Sequence, residues 1–264
     1  VRIMVGEGSR RRIAVGSLLV AALASLSWTL GEITGTPASS LRAYASEMAA
    51  VDQPHHLFFH LCDAVMGLAL VVHGLAARPL ARVRREELGA IGLALAGVAT
   101  LADVAFPMDC SPALSAACRV ADATGAVSTS HLLHEVSSVV VELALIGALL
   151  VTTGLLGRVR VWVRALMVPW ALAYGLTLGC AAGLWRDTPL DVVGLWQRIA
   201  LTCVTTWWVL LALDRWSRGA DHGTRVAPGT LTRARAASPV ADDTRVQVGG
   251  GRHPGRGMSD DLVA

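Results

Sequence analysis

Residues 131–156 read HLLHEVSSVVVELALIGALLVTTGLL, and this stretch decides the fold class. A helix needs about 20 mostly apolar residues to cross a bilayer, and this run is longer than that. It does not alternate polar and apolar residues as an outer-membrane barrel strand would. Its polar residues gather at one end: His131, His134, Glu135, Ser137 and Ser138, with Glu142 deeper. The stretch therefore reads as a membrane-spanning helix with one polar mouth.

Working outward, five more apolar blocks flank it: Ile13–Leu30, Leu57–Leu75, Leu88–Phe106, Ala165–Trp185 and Val192–Leu213. The whole chain has 264 residues, 53% of them hydrophobic and only 16% charged, with a mean hydropathy of +0.53. Soluble domains carry roughly 25% charged residues. That composition excludes an ordinary cytosolic enzyme, a disordered protein and a nucleic-acid binder. The expected fold is all-α, a polytopic bundle of six transmembrane helices, with the lipid bilayer as its first partner. It divides into a basic N-terminus (1–12), a membrane domain (13–213) and a tail (214–264) whose Gly, Arg, Asp, Thr and Pro cannot bury enough surface to order it.

All 23 basic residues are arginine, and they orient the spans. Arg2, Arg10, Arg11 and Arg12 precede the first span. Arg78, Arg82, Arg84 and Arg85 follow the second, Arg158, Arg160 and Arg164 follow the fourth, and the tail carries eight more. The opposite loops hold one each: Arg42, Arg119 and Arg186. The positive-inside rule makes both termini cytoplasmic, in a plasma membrane. The apolar part of the first block is longer than the 7–15 residues usual in a secretory leader, so it reads as a span. In the fifth span Gly175, Gly179 and Gly183 recur every four residues, a spacing that lets helices pack closely.

Ionisable groups inside a bilayer are costly and mark function. His60 and Asp63 lie in the second span, Asp103 in the third with Asp109 just beyond it, His131, His134 and Glu135 in the fourth, and Arg198 in the sixth. At 1.5 Å per residue, all of these fall within roughly 10 Å of the outer surface. Two uses follow. Arg198 can neutralise Asp63 or Asp103 and lock the bundle, as a structural or regulatory subunit of a membrane assembly would need. Alternatively the groups bind or move a lipid headgroup or small polar molecule, Arg198 holding an anionic group while Asp63, Asp103 and His134 exchange protons. A third chemistry is a membrane-embedded metal-dependent hydrolase, with His60, His131 or His134 as ligands beside the aspartates. No HExxH or paired CxxC motif fixes a metal, and no cofactor is named by the residues. His60 and His73 have a spacing that suits stacked haems, but the fourth span offers no inner histidine to complete the second.

Cys62, Cys180 and Cys203 lie within spans and read as small apolar residues. Cys110 and Cys118 share one outer loop, on the oxidising side of a cell-envelope membrane, and are expected to form a disulfide next to Asp109.

Tyr44-Ala-Ser-Glu47 after the first span, Asp63 and Gly67 in the second, and Phe106-Pro-Met-Asp109-Cys110 closing the third form an ordered pattern. It continues through Cys118, His131 to His134, and Gln197-Arg198. In this order the pattern resembles the bacterial integral-membrane family catalogued as domain of unknown function 998, in an actinobacterial-type version with paired loop cysteines. The resemblance covers roughly residues 13–213. It implies a six-helix membrane fold and carries no settled activity.

Overall fold

The computed structural model describes residues 6–154, 157, 159–186 and 188–224. Seven α-helices follow one another: α1 (Glu7–Ala24), α2 (His56–Ala77), α3 (Arg84–Ala105), α4 (Ala116–Ala123), α5 (Thr129–Thr153), α6 (Arg160–Ala181) and α7 (Val193–Thr224). No strand occurs among the described residues. Five segments are long and apolar enough to cross a membrane: α1 with its 3-10 extension to Leu30, α2 with the turn to Leu80, α3, α5 and α6. α4 is a short helix inside the predicted outer loop. α7 contains the predicted sixth span and runs on through residues 214–224, which were expected to belong to the tail. The rest of the predicted tail, 225–264, lies outside the described residues.

The helices neighbour one another in the order α6, α7, α1, α2, α3, α5, and α5 touches α6 only sparsely. Leu18, Leu70, Leu93, Leu145, Leu149 and Trp207 form the buried centre. Large apolar side chains such as Leu23, Leu57, Leu61 and Val168 point outward, the arrangement a lipid-facing surface requires. Between helices in lipid, packing rather than water exclusion drives association, and small residues let backbones close up. One close approach is between α2 and α3. A Cβ added at Gly67 would meet the Gly97 carbonyl oxygen, and one at Gly97 would meet that of Gly67. The expectation that Gly175, Gly179 and Gly183 form the packing stripe is corrected. Gly175 faces open space, Gly179 meets Trp185, and Gly183 (φ +72°) turns the chain after α6. Four-residue spacing records a helical face, and this face was not the one turned to a neighbour.

Polar side chains add cross-links. The His73 Nδ1–H on α2 donates to the Ala14 carbonyl of α1 at 2.8 Å, and Ser25 and Thr205 join their hydroxyls at 2.8 Å.

Candidate functional site

At one end of the bundle the connections fold into a cap. Its apolar centre is Ala38, Ala43, Met48, Ala49 and Phe59. Glu47, almost fully buried, accepts from the Tyr44 amide at 2.9 Å, the Ala113 amide at 3.0 Å and the Ser111 hydroxyl. Asp52 accepts from the Ser111 amide at 3.1 Å, and the Val51 amide donates to the Met108 carbonyl at 2.9 Å. The first and second connections of this end are thereby tied together. Burial, with the Glu47 charge beside it, pushes the Tyr44 phenol up to about 12.

Arg198, near the start of α7, grips the first of these connections. Its guanidinium, 5% exposed, donates to four carbonyls: Ala43 at 3.0 Å, Ser40 at 3.2 Å, Ser39 at 3.3 Å and Ala38 at 3.4 Å. It also lies over the Trp28 ring at 5.9 Å. Gln197 beside it accepts from the Ala45 amide at 2.6 Å. The expected ion pair of Arg198 with Asp63 or Asp103 is therefore corrected: no salt bridge joins them among the described residues. Equal depth was not enough, because α7 packs on α1 and α6, whereas the two aspartates sit on α2 and α3.

Cys110 and Cys118 are joined by a disulfide, their Cα atoms 6.1 Å apart, within the usual range. Asp109 next to it accepts from the Ser128 amide at 2.8 Å and the Ser128 hydroxyl at 2.6 Å. These bonds hold the Asp109 carboxyl below the usual carboxylate range. Ser128 in turn caps α5, accepting from the His131 amide at 3.2 Å. Asp109 and Ser128 thus aim the polar mouth of α5.

The two histidines at that mouth differ. His131, fully buried, accepts at Nδ1 from the Asp109 amide at 3.2 Å. A neutral ring then carries its proton on Nε2, which stands 4.0 Å from Asp122 Oδ1. Asp122, His131 and Glu135 bring one potential ligand atom each within 4.8 Å of one another. A metal there would need the bare Nε2 that the Asp109 amide denies it. His134 has the opposite pattern. Its Nδ1–H donates to the Asp103 carbonyl at 3.2 Å, so in a neutral ring Nε2 carries the lone pair, and this atom is buried without a partner.

His134 belongs to a second group, one layer deeper. The Asp103 carboxylate accepts from the Ser137 hydroxyl and, at 3.3 Å, from that of Ser138. Asp63 and Glu142 both lie within electrostatic range of Asp103, and His60 within that of His134. The His60 Nδ1 is buried and unpartnered. Three carboxyl groups and two buried, unpartnered imidazole nitrogens therefore collect where α2, α3 and α5 meet. No basic side chain forms a salt bridge with Asp63, Asp103 or Glu142 among the described residues. The sequence residues His60, Asp63, Asp103 and His134 are brought together, whereas Asp109, His131 and Glu135 form the separate group above, and Arg198 belongs to the cap.

The family model described as "Protein of unknown function (DUF998)" matches residues 18–214. The chain belongs to this family. Comparison with curated proteins and with solved structures found no match. Much of the pattern that carries the family resemblance, Tyr44 to Glu47, Asp109-Cys110, His131 and Gln197-Arg198, falls on residues that tie the cap together, whereas Asp63 and His134 belong to the deeper group. Asp52, Ser111 and Gln53, whose Oε1 accepts from the Ala38 amide at 3.3 Å, complete that network and were missed because polar residues in a loop carry no periodic signal.

Proposed function

We propose that this chain is a six-span plasma-membrane protein with both termini in the cytoplasm. Its α2–α3–α5 cluster binds the cationic, hydrogen-donating part of a lipid headgroup or small polar molecule at the outer leaflet. The span count and orientation rest on the arginine asymmetry and on a disulfide in the arginine-poor cap.

The ligand class rests on one observation: the cluster is a set of acceptors. Asp63, Asp103 and Glu142 supply carboxyl oxygens, and His60 Nδ1 and His134 Nε2 are buried without a partner, against two serine hydroxyls already used by Asp103. An ionised carboxylate at membrane depth is expensive without a partner, and a bound group that supplies protons or positive charge offsets that cost. This reverses the anion-binding role expected of Arg198, whose charge is spent on cap carbonyls. A primary ammonium satisfies several acceptors at once, whereas a quaternary ammonium donates no hydrogen bond.

The test is the lipid and metabolite content of protein purified in mild detergent. Wild type should retain ethanolamine lipids or amine-bearing small molecules over choline lipids, and Asp103→Asn should lose that enrichment. Equal retention by both proteins would overturn the reading. Metal analysis of the same preparations addresses the hydrolase alternative, for which the Asp122, His131 and Glu135 grouping speaks and the His131 proton pattern speaks against.

A further inference from the structure

The opposite end of the bundle contains a cavity of about 70 Å³, bounded by the start of α1, the α2–α3 turn and the end of α7. This is several times the roughly 10–15 Å³ that one water needs. Arg11, Arg82, Arg215 and Arg218 line it, against Glu7 and Glu86. The acids are already engaged. Glu7 pairs with Arg11 at 3.1 Å, and Glu86 with Arg218 at 3.0 Å. Arg218 also forks onto Asp214 behind the wall, through Nε at 2.7 Å and a second nitrogen.

Arg215 is different. It forms no ion pair among the described residues, and its Nε is buried without a hydrogen-bond partner. A buried donor left unspent is expensive, and Arg215, half-buried with its Nε covered, opens on a cavity walled by three further arginines. A planar guanidinium fork matches phosphate geometry, and basic pockets between helices at a cytoplasmic membrane face suit anionic headgroups. We infer that this cavity is a phosphate-binding site, with Arg215 as its anchoring cation. The phosphate group comes either from an anionic lipid headgroup or from free phosphate. The site lies at the other end of the bundle from the carboxylate–histidine cluster and stands independently of it.

The test uses full-length protein in phosphatidylcholine nanodiscs. One arm replaces part of the lipid with phosphatidylglycerol, and the other adds inorganic phosphate. Thermal unfolding and native mass spectrometry report binding. Arg215→Gln should weaken binding about fivefold, Arg215→Lys should restore part of it, and Arg160→Gln, which removes a charge outside the cavity, should leave it unchanged. Response to phosphatidylglycerol alone assigns a lipid headgroup, and response to inorganic phosphate assigns the free ion; either supports the site. No response in either arm by wild type would overturn it, even if Arg215→Gln fails to fold. Equal losses for Arg215→Gln and Arg160→Gln would also overturn it, as diffuse surface attraction.

Discussion

His131 and His134 lie one turn apart on α5, yet the Asp109 amide donates to His131 Nδ1 while His134 Nδ1 donates to the Asp103 carbonyl, each at 3.2 Å. In their neutral forms the first ring presents an N–H toward Asp122 and the second a lone pair, although their sequence spacing makes them look equivalent. Nitrogen-15 NMR of the neutral rings in bilayers should find His131 protonated at Nε2 and His134 at Nδ1. Both protons on Nε2 would remove His134 from the acceptor set.

Arg198 holds the cap by four carbonyls rather than by an ion pair. Arg198→Ala leaves buried acceptors unsatisfied and should cost at least about 2 kcal/mol, read as a lower unfolding temperature in nanodiscs. Exchanging Arg198 and Asp63 should not rescue it, because the two residues do not meet. A swapped variant as stable as wild type would contradict the carbonyl cage.

The helices and the disulfide were legible in the sequence because their causes are local: apolar run length, arginine asymmetry, and two cysteines nine positions wide in one loop. That Asp63, Asp103 and His134 come together was legible too, since depth is counted along each helix, whereas Arg198 sits in the cap. Azimuth was not. Which helix faces which depends on the α2–α3 contact at Gly67 and Gly97 and on α7 seating against α1 and α6. The fate of Arg198 was hidden for a second reason: its partners are backbone carbonyls, which every residue possesses and no residue type announces.

Gly97→Ala should separate α2 from α3 and destabilise by about 1–3 kcal/mol, the usual cost of overpacking. Gly175→Ala meets nothing within 4 Å and should be neutral or stabilising by up to about 1 kcal/mol from helix propensity. Thermal unfolding of both variants checks the contrast, and equal destabilisation would misplace the helix contact.

Asp109 gives the cap an acid limit. Its carboxyl titrates below its ordinary range because Ser128 donates two bonds to the ionised form. A depressed folded value means that the contribution is complete above about pH 4 and is lost as pH falls through the folded value. Hydrogen exchange at the Ser128 amide should accelerate in that acid window beyond the change of Asp109→Asn, which should show no step there. A step on the alkaline side would contradict the assignment.

The acceptor cluster of α2, α3 and α5 is tested most directly by unfolding the protein in phosphatidylcholine nanodiscs while phosphatidylethanolamine is titrated in. Wild type should gain stability to a saturating limit, Asp63→Asn and Asp103→Asn should lose most of that gain, and Glu135→Gln, in the neighbouring group, should keep it. A gain of the same size in all four proteins, or none in wild type, would contradict a cation-binding site at this cluster.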